Sequence, residues 1–267
     1  MFKDITLGQY YPSDSILHHL DPRTKLIGTI LYIVSVFLFN TIPGYAAAAL
    51  FLTAIIIISK VPPKFIFKGL KAVFILLLIT AAFNLFLTPG ETVWSAGPLK
   101  VTKEGLGLAL KMALRLVFLV TGSSVMTLTT TPNQLTNAME SLMRPLRRIH
   151  VPVHEIAMMM SIALRFIPIL MEETEKIMKA QIARGADFES GGLVQKVKNM
   201  IPLLVPLFIS AFRRANDLAM AMEARCYHGG ENRTQMKPLR YQDRDAAAYA
   251  ILAAYLAVAI LFRVLHW

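Results

Sequence analysis

Uncharged runs divide the chain into segments long enough to cross a membrane. Between Lys25 and Lys60 lie 34 consecutive uncharged residues. As one helix they would be about 50 Å long, against about 30 Å for the hydrocarbon core of a bilayer. The turn residues Asn-Thr-Ile-Pro-Gly at 40–44 divide this run in two. With the later uncharged runs, the pattern predicts five transmembrane helices, at 26–42, 44–59, 72–90, 116–130 and 246–262.

Composition and the distribution of charge agree with a membrane protein and predict its orientation. Of the 267 residues 55% are hydrophobic and 17% are charged, whereas soluble domains carry charge on roughly 25% of residues. With the N-terminal segment 1–25 in the cytoplasm, every cytoplasmic segment is richer in Lys and Arg than every external segment. The C-terminus is then outside. The net charge of +11 is mainly a topology signal, so nucleic-acid binding is not expected.

The 116-residue stretch 130–245 is too long for a loop and too apolar for a disordered tail. We predict that transmembrane helices 1–4 occupy 26–130, that 131–245 is a cytoplasmic insert of three helices, and that 246–267 holds the fifth span. The first helix of the insert begins at the capping box of Thr131 and Gln134, with Pro132 at its first position. It is predicted to end before Pro145.

The second and third helices of the insert are long, at 153–184 and 193–225. Two further membrane spans are the alternative interpretation of these segments. Arg165 and the dense charge at the distal ends argue against that alternative. The apolar stretch 200–212 in the third helix contains two prolines and is too short to span a bilayer, which favours a helix buried in protein or lying at the interface.

Both long helices end in the same way, with an alanine, an arginine and a small residue. An arginine presented between small residues can enter a groove on a partner and donate to carboxylates or helix-end carbonyls. The simpler interpretation of one such arginine is a basic residue near a helix C-terminus, but the repetition favours a paired docking site. The two triplets are Ala183-Arg184-Gly185 and Ala224-Arg225-Cys226.

With these motifs, the chain resembles over nearly its whole length the transmembrane (T) components of energy-coupling factor transporters, which import vitamins and metal ions. The resemblance rests on Leu-Asp-Pro-Arg-Thr-Lys-Leu at 20–26, Thr-Thr-Thr-Pro at 129–132, Ser-Ile-Ala-Leu-Arg-Phe-Ile-Pro at 161–168 and the two Ala-Arg triplets. It implies an all-α integral membrane protein of the shared, generic type, in the plasma membrane of a prokaryote, with five spans and three coupling helices.

The resemblance also implies the partners and their contacts. Arg184 and Arg225 would bind two cytoplasmic ATPase subunits of the ABC type, with Ala183, Gly185 and Ala224 as close-packing neighbours. Cys226 stands where the family has glycine; because cysteine has a Cβ, a left-handed helix cap is less easily formed there. One or several membrane substrate-binding (S) components would be the other partners. Methionine-rich surfaces adapt to different shapes; the predicted S-component contacts are Met158, Met159, Met160, Pro202 and Pro206.

The chain has no phosphate-binding loop of the type G-x-x-x-x-G-K-[ST]. We therefore expect no cofactor on this chain, with ATP and Mg on the partner ATPases, and no catalytic or metal site. A single cysteine excludes internal disulfides and zinc sites built on a cysteine pair. Lys111 and Arg115 are expected to extend to the outer interface.

Two other functions are compatible with the sequence. One is a T component dedicated to a single substrate, such as cobalt, nickel or biotin. The other, less favoured, is an integral membrane enzyme that uses acidic residues of the insert. Co-purifying proteins would separate the shared from the dedicated type, and activity of the purified single chain would indicate the enzyme.

Overall fold

Helices make up most of the regular structure. The computed structural model describes residues 10–39, 41–96, 99–188, 192–230, 236 and 238–264. The helices are α1 (Ile16–His19), α2 (Pro22–Leu38), α3 (Ile42–Ser59), α4 (Pro63–Leu87), α5 (Lys103–Thr129), α6 (Pro132–Met143), α7 (Val153–Ala183), α8 (Leu193–Ala224) and α9 (Asp243–Val264). A 3₁₀ helix covers Arg144–Ile149, and two strands, β1 (Thr92–Ala96) and β2 (Leu99–Thr102), form a hairpin.

Capping residues explain where two of these helices begin. Asp21 precedes α2, and its Oδ1 accepts the Arg23 N–H at 2.8 Å, so α2 starts four residues before the predicted position 26. The capping box predicted at α6 is confirmed. The Thr131 N–H donates to the Gln134 side chain at 3.0 Å, and the Gln134 N–H donates to Thr131 Oγ1 at 3.3 Å.

The chain is an all-α integral membrane protein. Its five predicted spans correspond to α2, α3, α4, α5 and α9. Among the described residues, α3, α5, α7 and α9 are each long and apolar enough to cross a membrane, and α4 adds a fifth candidate if its two halves form one bent span. α2 has 17 residues, about the lower limit for a span. The sequence-based alternative of additional spans therefore concerns α7 and not α8.

The connection between α4 and α5 contains a hairpin that was not expected from the sequence. Thr92 pairs with Thr102, and Ala96 with Leu99, in an antiparallel register. The hairpin is tied to the ends of both helices. The Glu104 carboxylate accepts the Glu91 N–H at 2.9 Å, and Thr102 Oγ1 donates to the Thr88 carbonyl at 2.9 Å.

The chain divides into two compact units. The membrane unit contains residues 6–141 and 239–267, and the helical insert contains residues 142–238. The membrane unit thus retains nearly all of α6 and the residues that lead into α9. Its core contains an aromatic group in which the Phe51 and Tyr255 rings stack at 4.1 Å and the Tyr255 hydroxyl hydrogen-bonds with Ser35 Oγ at 2.8 Å.

Arg115 is half-buried and bonds to the turn between the first two predicted spans. Its Nη2 donates to the Phe39 carbonyl and to the Tyr45 hydroxyl, both at 3.2 Å. Phe39 ends α2 and Tyr45 lies in the first turn of α3. Because the guanidinium bonds to both helices, Arg115 stabilises the turn that joins the first two spans.

α7 and α8 are antiparallel in the helical insert. Near the end of α7, Gln181 Nε2 donates to the Pro202 carbonyl at 3.3 Å. Arg214 and Glu173 form an ion pair at 3.4 Å farther along. Beyond the end of α8, Gly230 lies against His154, which is in the first turn of α7, so closely that a Cβ would overlap the imidazole. These contacts extend along α7 from its first turn to its last, and along α8 from Pro202 to its end.

Candidate functional site

The first Ala-Arg triplet forms a complete Schellman cap at the end of α7. The Gly185 N–H donates to the Ile182 carbonyl at 2.9 Å, and the Ala186 N–H donates to the Gln181 carbonyl at 3.0 Å. Gly185 has φ +88°, in the left-handed region that this motif requires. Arg184 is the last residue before the chain reverses and is exposed, as is Ala183. The cap therefore fixes the backbone on which the arginine is presented.

The second triplet forms the same cap at the end of α8, although cysteine replaces glycine. The Cys226 N–H donates to the Glu223 carbonyl at 2.9 Å, and the Tyr227 N–H donates to the Met222 carbonyl at 3.1 Å. Cys226 adopts φ +54°. Cysteine at this position therefore raises the conformational energy of the backbone, but the cap has the same hydrogen bonds as the first one. Ala224 and Arg225 are exposed here as well.

Substituting the residue that follows each arginine should change the stability of the protein in opposite directions at the two tips. Cys226→Gly should stabilise the protein by about 1 kcal/mol, because glycine adopts positive φ without the Cβ penalty. Gly185→Ala should destabilise it by about 1 kcal/mol. No atom lies within 4 Å of a Cβ built on Gly185, so the cost comes from backbone conformation alone.

Thermal unfolding of the detergent-solubilised variants measures this prediction. Gly107→Ala in α5 is the control, because its Cβ also meets no atom but its φ is not positive. That variant should gain stability as alanine replaces glycine in a helix. A gain for Gly185→Ala, or a loss for Cys226→Gly, would contradict the role of the left-handed cap.

The two arginines lie at opposite ends of the α7–α8 pair. Arg184 follows α7 at the end where Gln181 contacts Pro202, and Arg225 follows α8 at the end where Gly230 contacts His154. Since α7 contains 31 residues, the tips are about 45 Å apart along the helix axis. The sequence repeat suggested two similar tips; the antiparallel packing separates them by the length of a helix.

The predicted S-component residues do not form one patch. By the same antiparallel packing, Met158, Met159 and Met160 lie toward the Arg225 end, and Pro202 and Pro206 lie toward the Arg184 end. Met159, Met160 and Pro202 are exposed, whereas Met158 and Pro206 are half-buried.

α8 carries an exposed apolar surface along the part of the helix that contains Pro202 and Pro206. We call it the α8 stripe. Its residues recur at the i, i+3, i+4 spacing of one helix face, and each is at least 40% exposed in this chain alone. An exposed apolar surface of this kind is typical of a binding site for another protein or a membrane. The α8 stripe consists of Ile201, Leu204, Val205, Phe208, Ile209 and Phe212.

A polar cluster in the membrane unit surrounds the two points where the chain leaves that unit and returns to it. The Arg23 Nη2 and the Asp21 carboxylate form an ion pair at 2.9 Å, and the Asp21 side chain is 2% exposed. The Arg23 Nη1 donates to Ser141 Oγ at 3.3 Å, and its guanidinium lies 4.0 Å from the Tyr241 ring centre. Ser141 is the last residue before the insert, and Tyr241 is three residues after it.

Buried charges on neighbouring helices complete this cluster. Asp245 in α9 is 2% exposed and accepts the Asp21 N–H at 2.8 Å and the Gln242 N–H at 2.9 Å. Lys25 donates through Nζ to the Thr129 carbonyl at 2.9 Å and to the His18 carbonyl at 3.1 Å. The motif at 20–26 thus does more than cap a span: it joins the beginnings of α2 and α9 to the end of α5. Burial raises the pKa of the nearby Tyr241 hydroxyl.

Within the described part of the chain, no group of three His, Cys, Asp or Glu side chains is placed to hold a metal ion. The exposed functional candidates are two arginine tips and one apolar stripe.

Comparison with known proteins places the whole chain among transporter components. A family model described as a cobalt transport protein (CbiQ) matches residues 13–236. Similar proteins named energy-coupling factor transporter transmembrane protein EcfT occur in several bacteria. The protein of Clostridium kluyveri is 55% identical over 266 residues, covering 99% of this chain and 98% of that protein. The protein of Bacillus subtilis is 46% identical over 263 residues, covering 98% of both chains.

Proposed function

This chain belongs to the family of transmembrane components of energy-coupling factor transporters, and we propose that it transmits ATPase movement to a membrane-embedded S component. The observation that carries the proposal is the pair of exposed, identically capped arginines at opposite ends of α7 and α8. Each arginine docks on one of two cytoplasmic ATPase subunits, which hold ATP and Mg. Vitamin uptake is then driven by ATP that this chain does not itself bind.

The separation of the tips supports one arginine for each ATPase. Two sites about 45 Å apart along one helix pair are too far from each other to enter a single groove. When the two ATPases approach each other on binding ATP, they move both ends of the α7–α8 pair.

Charge supports a cytoplasmic location for α7, although its length and composition would allow a span. Its distal half contains three acidic and two basic residues within eight positions, and several charges inside a span are costly. The insert also carries a large share of the basic residues, which the positive-inside rule assigns to the cytoplasm. The N-terminus is then inside and the C-terminus outside. The charged residues are Glu172, Glu173, Glu175, Lys176 and Lys179.

The α8 stripe is the proposed contact for the S component, together with the exposed methionines of α7. Tagged chain purified from its own membranes should bring down the ATPases and S components. Phe208→Ser, which removes a side chain that is 62% exposed, should reduce the recovered S component about tenfold or more, the size of a central contact. The ATPases should still be recovered. Ile149→Ser is the control, since Ile149 is 70% exposed and lies outside α7 and α8.

The same purification determines the range of substrates. Recovery of several different S components identifies a shared component, as proposed here. Recovery of one S component would instead identify a dedicated transporter, an alternative favoured by the description of the matching family model as a cobalt transport protein. If the Phe208→Ser protein recovers as much S component as the wild type, the α8 stripe is not the contact for the S component.

A further inference from the structure

A cavity of about 330 Å³ lies within the membrane unit, between α1, α2, α3, α5 and α9. Its volume is at the lower end of the range of ligand-binding pockets. We propose that this cavity binds one acyl chain of an anionic glycerophospholipid, whose phosphate lies at Lys25 and Arg244. This site is separate from the arginine tips and the α8 stripe, and it goes beyond the proposed energy coupling.

The two ends of the cavity differ in polarity. Lys25 and Arg244 lie near the beginnings of α2 and α9, which the hydrogen bond from Asp21 to Asp245 holds side by side. Two to three helical turns farther along, Tyr32 and Leu252 belong to the apolar end. A lining with cations at one end and hydrocarbon at the other matches an amphiphile that has a negative head group.

The rim is open to the surface of the helix bundle. Ile58 of α3 and Ile251 of α9 line the cavity and are 46% and 61% exposed. In a membrane such exposed aliphatic side chains contact lipid. An acyl chain can therefore enter between α3 and α9 from the side, without leaving the hydrocarbon layer.

Two buried hydroxyls that line the cavity have no hydrogen-bond partner among the residues that the structure describes. They are Thr24 Oγ1 and Tyr32 Oη, on residues that are 5% and 3% exposed. A buried polar group without a partner is costly, and native structures rarely leave one unsatisfied. The phosphate and ester oxygens of a phospholipid accept hydrogen bonds, so the hydroxyl of Thr24, next to Lys25, gains an acceptor that a hydrocarbon alone would not supply.

Native mass spectrometry of the full chain in nanodiscs tests the proposal. The nanodiscs contain phosphatidylglycerol, phosphatidylcholine, or phosphatidylcholine with added oleate, and the retained lipid is counted per chain after release. We expect one retained phosphatidylglycerol. Gly28→Leu should reduce retention on the order of a hundredfold, because its four added carbons take the place of about four methylenes of the acyl chain. Gly28 lines the cavity, and its Cβ would meet only Leu252 at 3.9 Å.

Matched variants control for the fold and the head group. Gly107→Leu makes the same change in α5 away from the cavity and should retain the lipid. Arg244→Gln, at an exposed cavity residue, should reduce phosphatidylglycerol retention about fivefold, whereas Arg240→Gln should not. Equal retention by Gly28→Leu and Gly107→Leu would overturn the site. Retention of phosphatidylcholine equal to that of phosphatidylglycerol, or of oleate in preference to both, would overturn the anionic phospholipid.

Discussion

Replacing Arg184 and Arg225 together by alanine is expected to abolish co-purification of both ATPases and vitamin uptake. An arginine that docks in a groove contributes on the order of 2–4 kcal/mol to a complex. The loss of both therefore weakens the assembly by about a thousandfold or more. Each single variant should still co-purify with one ATPase, bound at the remaining tip. It should lose uptake, because only one of the two ATPases is then connected to the α7–α8 pair.

The control for this experiment is Arg148→Ala with Arg213→Ala. These arginines are also exposed and belong to the same insert, so the double variant has the same net charge without losing a tip. It should retain the ATPases and uptake. Wild-type recovery and uptake by the Arg184→Ala/Arg225→Ala protein would exclude the docking function of the tips.

Arg23→Ala should have the largest effect on stability, about 3 kcal/mol. The substitution leaves the Asp21 carboxylate, which is 2% exposed, without its guanidinium partner, and an unpaired buried charge is strongly destabilising. The melting temperature in detergent should fall by roughly 6–12 °C. Because Arg23 also contacts Ser141 and Tyr241 beside the insert, uptake per assembled transporter should fall even below the melting temperature.

A second substitution separates the charge from the cap. In Arg23→Ala/Asp21→Asn, the side-chain oxygen of the asparagine can still accept the backbone N–H of residue 23, but it carries no charge. About half of the lost stability should therefore return. Arg23→Ala/Asp21→Ala also loses the cap and should recover less, by about 1 kcal/mol. If the two double variants are no more stable than Arg23→Ala, the buried ion pair is not the source of the effect.

Local sequence signals predicted the termini of α6, α7 and α8 well. The capping box at Thr131, the glycine after Arg184 and the small residue after Arg225 each act within a few residues of the helix end that they determine. These helix ends depend on local backbone geometry, and the residues that determine that geometry are adjacent in the sequence. The predicted ends of α7 and α8 accordingly differ from the observed ends by one residue.

Features that depend on packing between distant residues could not be predicted in this way. Two similar sequence endings do not say whether their helices run parallel or antiparallel, and only contacts such as Gln181 with Pro202 place the tips at opposite ends. The bonds of Arg115 to Phe39 and Tyr45 could not be predicted, because these partners are 76 and 70 residues away in the chain. The start of α4 was missed because four lysines between 60 and 71 interrupt the apolar pattern on which the spans were predicted.

The central claim is that each arginine tip binds a different ATPase molecule, and site-specific photo-crosslinking tests it most directly. Cys226 is the only cysteine in the chain and is exposed beside Arg225, so maleimide-benzophenone labels the second tip of the wild-type protein. Gly185→Cys/Cys226→Gly moves the label to the first tip, and Gly185→Cys labels both. We predict that each single label links the chain to one ATPase and that the double label links one chain to two. Double-labelled chains linked through both tips to a single ATPase molecule would contradict the account.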